Sequence, residues 1–527
     1  MKRIYYIILF FSISLNLLPQ QIPVRFLRNY QKIILESLNL DLSKDSVIFV
    51  SVLPVYYSDL SQIKNLKTLH SPSFIVFKNK NSKYSLNINP TIDLFAKYHS
   101  LEPFAFNPTI GLAVDFSLTE KLGISSFSYY YKNEYPFQTP ILFPNFWPPM
   151  DFSDDHIYKR FPIINDFHIV YSPFDFLKID FANSRNFIGN GYRSLLLSDI
   201  AKPYPNLKIQ AKFLNFQYNI LWARMISEYW LPFSITETQN KHAVFQYLEW
   251  RIHKRFSLGF FESVISSRKD FFNLEYLQPL IFLRPVEFNL GSEDNTLLGL
   301  NGRIIPKNKN IIYFQILIDD LIVAQLINDI RHRINPEYSG QYGWFANKWG
   351  IQLGTKRYDI FNLKNTDFFI EYNIVRPYTY SHSNVQKNYS HSSIPLAHPF
   401  GANFSEFITG VSYNGERFFT DIKYIHVIAG ADSLFSHYGN NIFLPTMDGP
   451  NNHGFIVNSY GNIIHQGIRT VRHSAYIELG YHPFSSNNHC ISLIFSYDHF
   501  IPENYNQLKS FNLLIGIRSN FIKFNIP

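Results

Sequence analysis

Asn183-Ser184-Arg185-Asn186-Phe187-Ile188-Gly189-Asn190-Gly191-Tyr192-Arg193-Ser194-Leu195-Leu196-Leu197-Ser198-Asp199 stands between two runs that alternate with period two. Before it, Leu177, Ile179 and Phe181 alternate with Phe176, Lys178 and Asp180. After it, Leu207, Ile209, Ala211 and Phe213 alternate with Lys208, Gln210 and Lys212. Alternation of this kind marks strands, because successive side chains leave a strand on opposite faces. The stretch itself is a long connection rich in Gly, Asn, Arg and Tyr, followed by Pro203-Tyr204-Pro205.

Outward from this point the same period persists. From Tyr84 to the C-terminal region the alternation defines about eighteen strands, within the even-numbered range of membrane-spanning barrels. The last is the cleanest: Phe511, Leu513, Ile515, Ile517 and Phe521 alternate with Ser510, Asn512, Gly516, Arg518 and Asn520. Connection lengths give an independent test. Short links fall at 119–120, 172–174, 214–215, 254, 306–308, 414–415 and 483–487. Long ones fall at 133–162, 184–206, 228–240, 267–293, 320–344, 379–403 and 431–470. Short and long links alternate, as periplasmic turns and extracellular loops do, and Asn414-Gly415 has the composition of a two-residue hairpin. The expected fold is all-β: a transmembrane antiparallel barrel over residues 82–527, with Glu371, Asn373, Asp421 and Lys423 facing a polar lumen.

Composition agrees. Among 527 residues there are 51 Phe and 35 Tyr, with aromatics at 17%. Mean hydropathy is nevertheless only −0.10. A helical membrane protein would instead carry repeated apolar runs of about 20 residues. The one long uncharged apolar run is residues 4–18, behind Lys2 and Arg3, so residues 1–20 read as an export leader. Residues 21–81 have another character. Phe26, Leu27, Tyr30, Ile33, Ile34 and Leu38 recur at helical spacing, and 59–69 fits a second helix, which predicts a short periplasmic helical segment able to dock a periplasmic partner.

The net charge of +8 is scattered without basic blocks, which argues against nucleic acid as a partner. Cys490 is the only cysteine, so disulfides within the chain and cysteine-based zinc sites are excluded; it reads as a small buried thiol. His382, His391 and His398 have no compact ligand spacing, and no metal or cofactor is expected. Gly-x-Ser-x-Gly is absent. The pairs Asp155-His156 and Asp498-His499 are sequence neighbours, which a strand points to opposite faces, so no catalytic residues are assigned.

The long links carry a further pattern. Glu275-Tyr276-Leu277-Gln278-Pro279 leads to Arg284-Pro285-Val286-Glu287 and then to Asp294-Asn295-Thr296-Leu297-Leu298-Gly299. Asn347-Lys348-Trp349-Gly350, Glu371-Tyr372-Asn373, Arg376-Pro377-Tyr378-Thr379-Tyr380-Ser381-His382 and Pro395-Leu396-Ala397-His398-Pro399-Phe400-Gly401 follow in order. Together with the opening stretch, these resemble the Bacteroidetes gliding-motility RemB type of outer-membrane protein, relatives of the capsule-assembly protein Wzi. The resemblance implies a non-enzymatic, lectin-like barrel at the surface of a Gram-negative cell. Such a protein would hold capsule or exopolysaccharide and contribute to adhesion and gliding; a passive porin is the alternative. Aromatic faces pack on sugar rings and guanidinium groups grip uronate carboxylates. Tyr192, Arg193, Asp199, Arg284, Glu287, Tyr378, Tyr380 and His398 are therefore candidate contacts to an acidic surface polysaccharide. Arg193 with Asp199, or Arg284 with Glu287, also reads as an ion pair that holds a loop folded.

Overall fold

The computed structural model describes residues 49–60, 75–78, 84–100, 104–131, 163–231, 234–267, 276, 294–307, 309–433, 436–446, 457–483 and 489–519. Eighteen antiparallel strands close into one barrel. In chain order they are β1 Ser85–His99, β2 Ala105–Ser117, β3 Leu122–Tyr131, β4 Ile163–Phe174, β5 Leu177–Ser184 and β6 Tyr204–Phe213. Next come β7 Phe216–Leu231, β8 Ser234–His253, β9 Phe256–Ser266, β10 Asn295–Ile304, β11 Asn310–Asp320 and β12 Lys348–Arg357. The last six are β13 Thr366–Val375, β14 Phe404–Asn414, β15 Phe418–Ala431, β16 Ile468–Tyr481, β17 His489–Pro502 and β18 Leu508–Ser519. Each strand pairs with its sequence neighbour, and β18 closes on β1, from Asn512↔His99 to Ser519↔Ile92. Closure removes the free edges that an open sheet would expose.

The alternation sorts the two surfaces. Phe511, Leu513, Ile515 and Ile517 of β18 are exposed outward, while Ser510 and Asn512 are buried inside. The same holds for Ile351 and Leu353 against Gln352 on β12, and for Tyr372 against Glu371 and Asn373 on β13. An apolar exterior around a polar interior is the surface a bilayer-spanning barrel requires. Asp498 faces inward and pairs with Arg472 at 2.5 Å, whereas His499 contacts Gln507, so these neighbours do separate onto opposite faces. Cys490 is buried.

Two link assignments need correction. Residues 228–240 belong to strands: β7 and β8 pair as far as Leu231↔Ser234 and leave only 232–233 between them. The β-branched run Ile235, Thr236, Thr238 extends the ladder where its polarity suggested loop. The hairpin after β14 turns on Glu416 and Arg417, because the Gly415 N–H donates to the Phe418 carbonyl at 2.9 Å. Asn414-Gly415 therefore sits at the end of the ladder, one step before the turn. The link after β11 holds a helix that the strand pattern concealed, α1, Val323–Ile334.

Residues 1–48 and 61–74, which include the export leader and most of the segment expected to be helical, lie outside the described residues. What is described of that segment is extended chain and one short 3-10 turn, Tyr57–Leu60. Val52–Leu53 pairs antiparallel with Phe187–Ile188 of the long β5–β6 link. Ser51 and Tyr56 reach lumen-facing Glu249 and Asp180, at 3.1 and 2.7 Å. This stretch thus runs within the barrel. Ile75–Lys78 pairs with Ser85–Ile88 on the β1 edge, beyond the last β18 contact.

The asymmetry of the links predicts topology. Ser383, exposed in the 376–403 link, and Glu416, exposed in a short turn, should be on opposite sides of the membrane. With Cys490→Ser as background, Ser383→Cys should react with an impermeant thiol reagent on intact cells and Glu416→Cys should not. The reverse pattern would invert the barrel.

Candidate functional site

The β5–β6 link does not stand above the barrel; it crosses the lumen. Its path is fixed by a row of inward polar side chains on four successive strands. Gln315 of β11 accepts from Leu195 N at 2.8 Å and donates to the Ile188 carbonyl at 3.1 Å. Gln352 of β12 donates to the Arg193 carbonyl at 3.0 Å. The Glu371 carboxylate of β13 accepts from Tyr192 N at 2.6 Å, Arg193 N at 3.0 Å and the Tyr313 hydroxyl at 2.8 Å. Glu406 of β14 takes the Arg193 guanidinium at 3.3 Å. The barrel wall supplies these partners because a buried N–H or carbonyl left unmatched would cost about 1–3 kcal/mol.

The glycines of the motif let the backbone come this close. A Cβ on Gly191 would lie 2.5 Å from a Glu371 oxygen. Gly189 has φ +148, in a region L side chains avoid, and a Cβ there would collide with the Gln315 amide.

Above this polar row the wall turns apolar. Leu195, Leu196 and Leu197 are fully buried in a cluster with Phe245, Phe261, Ile265, Leu297, Leu317 and Val375. Each leucine contributes roughly 1.5–3 kcal/mol by burial. The 376–403 link closes over them. Tyr380 OH donates to the Leu195 carbonyl at 2.8 Å, Tyr389 OH to the Leu196 carbonyl at 2.5 Å, and Ser198 N to the Leu396 carbonyl at 2.7 Å. A third link joins them: Tyr378 OH donates to the His437 carbonyl at 2.7 Å, and Asn403 donates to the Gly430 and Gln466 carbonyls, both at 2.8 Å.

The candidate contacts fall into three groups. Arg193, Tyr378, Tyr380 and His398 are buried in these link-to-link and link-to-wall contacts. Tyr192 and Asp199 keep partial exposure. Tyr192 stacks on Phe369 at 5.5 Å, with the Arg193 and Lys423 cations over its ring. Arg284 and Glu287 lie outside the described residues. Arg193 pairs with Glu406 across the barrel. For Asp199, burial raises the carboxyl pKa, against the pull of Arg185 and, less, Arg193.

His398 is fully buried, and its Nδ1 accepts from Phe400 N at 3.2 Å. That nitrogen therefore carries no proton, and Nε2–H donates to Glu406 at 2.7 Å. Burial lowers the His398 pKa in spite of the nearby Glu406, in keeping with a neutral ring. His391, held down to about 3 by burial, accepts from Ile226 N at 3.0 Å. His382, at about 4 by burial, accepts from Asn384 N at 3.0 Å. All three are loop fasteners. Among the described residues no group of three His, Cys, Asp or Glu side chains is placed to hold a metal ion.

Periodicity did not single out Gln315, Glu406 or Asn403. The available signal was a lone polar residue at an inward position of an otherwise apolar strand, as Gln315 is within Ile311-Ile312-Tyr313-Phe314-Gln315-Ile316-Leu317.

No protein-family model and no curated protein matches this chain. Among solved structures it is similar to Wzi of Escherichia coli, an outer-membrane, carbohydrate-binding β-barrel involved in group 1 capsule assembly. The TM-score is 0.56 at 10% identity, over 95% of this chain and 100% of that one. OprD of Pseudomonas aeruginosa matches at 0.41 and 10% identity, over 85% and 97% of the two chains. OpdK of the same organism matches at 0.42 and 8%, over 82% and 98%. At such identity the likeness to Wzi is one of fold, and together with the closed, outwardly apolar barrel it makes this chain an outer-membrane β-barrel.

Proposed function

We propose that this barrel is a non-enzymatic holder of acidic surface polysaccharide rather than a diffusion pore. One observation carries the reading: the glycine-rich link is bound through the lumen to Gln315, Gln352, Glu371 and Glu406, and a second link covers it. A lumen crossed by its own fastened chain is poor architecture for solute flux. It is good architecture for presenting loops in one fixed arrangement. The Wzi fold likeness and the RemB/Wzi-like motifs supply the ligand class, and extend the reading to adhesion and gliding.

Within it, Tyr192, Asp199, Arg284 and Glu287 are the residues proposed to meet polysaccharide. Arg193, Tyr378, Tyr380 and His398 position the loops that do. A single charge-assisted contact gives about 1.5–3 kcal/mol, and many along a polymer add through avidity.

The test has two arms. Cells lacking the protein should shed acidic polysaccharide and regain it on complementation, while Arg284→Ala should lower retention with normal amounts of folded barrel. In planar bilayers the purified protein should conduct weakly. Normal retention in the deletion strain together with large, steady conductance would establish a porin instead.

A further inference from the structure

The helix α1 is amphipathic in an unusual sense, because its polar side faces the protein. Asp329 accepts from Gly343 N at 2.6 Å and pairs with Arg376 at 3.2 Å. Asn328 accepts from the Tyr338 hydroxyl at 3.1 Å, and the His332 ring stacks on Tyr342. The opposite side carries Val323, Ile327, Ile330 and Ile334, which are 62, 44, 51 and 80% exposed. Spaced by four, three and four residues, they form one stripe along the helix. Exposed Arg331 and Arg333 flank the stripe on its two sides.

The position of α1 says what the stripe meets. The helix follows β11 after two residues, and the link re-enters the wall at β12. The last outward apolar residues there are Ile318 and Trp349, which pair with each other, with exposed Asp320 just beyond them. Below them, Ile312, Ile316, Ile351 and Leu353 form the exposed apolar belt of the barrel. The helix thus starts two residues beyond the rim of a lipid-facing surface, with its stripe on the side away from its protein contacts. Ile322 N, held by Asn347 Oδ1 at 2.8 Å, fixes the start of the helix to that rim.

We infer that α1 is an interfacial anchor: its isoleucine stripe enters the headgroup layer of the leaflet around the barrel, and Arg331 and Arg333 bind lipid phosphates. Apolar residues bordered by arginines are what such a layer selects, since the stems can lie in the apolar region with the guanidinium groups at the phosphates. The anchor would hold the link next to the barrel mouth at a fixed tilt.

The test uses the full-length chain with Cys490→Ser and an environment-sensitive fluorophore on Ile330→Cys. It is folded into vesicles of phosphatidylcholine alone or mixed with phosphatidylglycerol, and heat-dependent gel mobility confirms the barrel. The expected result is blue-shifted emission that a headgroup-level nitroxide lipid quenches and aqueous iodide does not. Insertion should be greater with phosphatidylglycerol. Arg331→Gln and Arg333→Gln should each lower the inserted-to-exposed ratio about fivefold in those vesicles, the equivalent of about 1 kcal/mol per arginine. Iodide quenching equal to that of a label on Ser383→Cys would overturn the proposal. So would cross-linking of the labelled position between copies without nitroxide quenching, which would assign the stripe to self-association. Equal insertion in both vesicle types would overturn the phosphate contact.

Discussion

Glu371→Ala is expected to turn a weakly conducting barrel into one with severalfold larger, noisy conductance. The carboxylate holds Tyr192 N, Arg193 N, the Tyr313 hydroxyl and the Asn373 amide, all inside the lumen. Alanine would take this acceptor from the first three donors, while the Asn373 amide keeps Glu406; at roughly 1–3 kcal/mol per buried group the total is several kcal/mol. Their remedy is water, and water reaches them only if the link lifts from the wall. The strand ladder does not depend on this residue, so the heat-dependent gel shift should persist. Limited proteolysis should find a new cut within 185–203. Glu371→Gln, which keeps one acceptor oxygen, should be intermediate. Unchanged conductance and protection in Glu371→Ala would show that Glu371 does not hold the crossing.

The second large effect concerns the N-terminal stretch inside the barrel. Asp59 is bound by Lys178 and by Lys212, the latter at 2.5 Å. Burial on its own would raise the Asp59 carboxyl, but the Lys212 and Lys178 ammonium groups overcome this and hold its pKa at about 2. A folded value below the unfolded one, near 3.9, means that the ionised group stabilises docking above about pH 4. That stabilisation, roughly 2 kcal/mol, disappears as pH falls through about 2. Openings in bilayer recordings should therefore become frequent between about pH 4 and pH 2. In Asp59→Asn they should already occur at neutral pH, with the acid step reduced. An identical acid step in that variant would assign it to other carboxylates.

Much of the barrel was legible because period two survives in nearly every strand, and because the lipid and the lumen demand opposite side chains. The exceptions have physical reasons. At 228–240 polar Thr and Glu mimic a loop, but paired strands continue beyond the apolar belt, where polarity no longer reports a strand. At α1 the isoleucines follow the apolar run of β11 directly, so the change of period was hidden behind Asp319 and Asp320. The interior was far less legible. Asp199, six residues away, is the partner for Arg193 that the sequence suggests, and nothing there pointed to Glu406, which pairs with it across the barrel. Periodicity says which residues face inward; it does not say which inward residues meet across a closed barrel. The glycines were visible as an unusual string, but their purpose depends on how close Gln315 and Glu371 come.

The contacts across the lumen also bear on the order in which the protein is made. Arg193 and Glu406 are 213 residues apart, and Leu195 and Tyr380 are 185 apart. Closing such distances early is entropically expensive, so contacts of this range form late. The link after the fifth strand cannot be fastened until strands eleven to fourteen stand opposite it. On the proposed reading, the nascent barrel would pass during insertion through a stage with a wall but no stopper, and its last step would shut a hole that its earlier steps opened in the membrane.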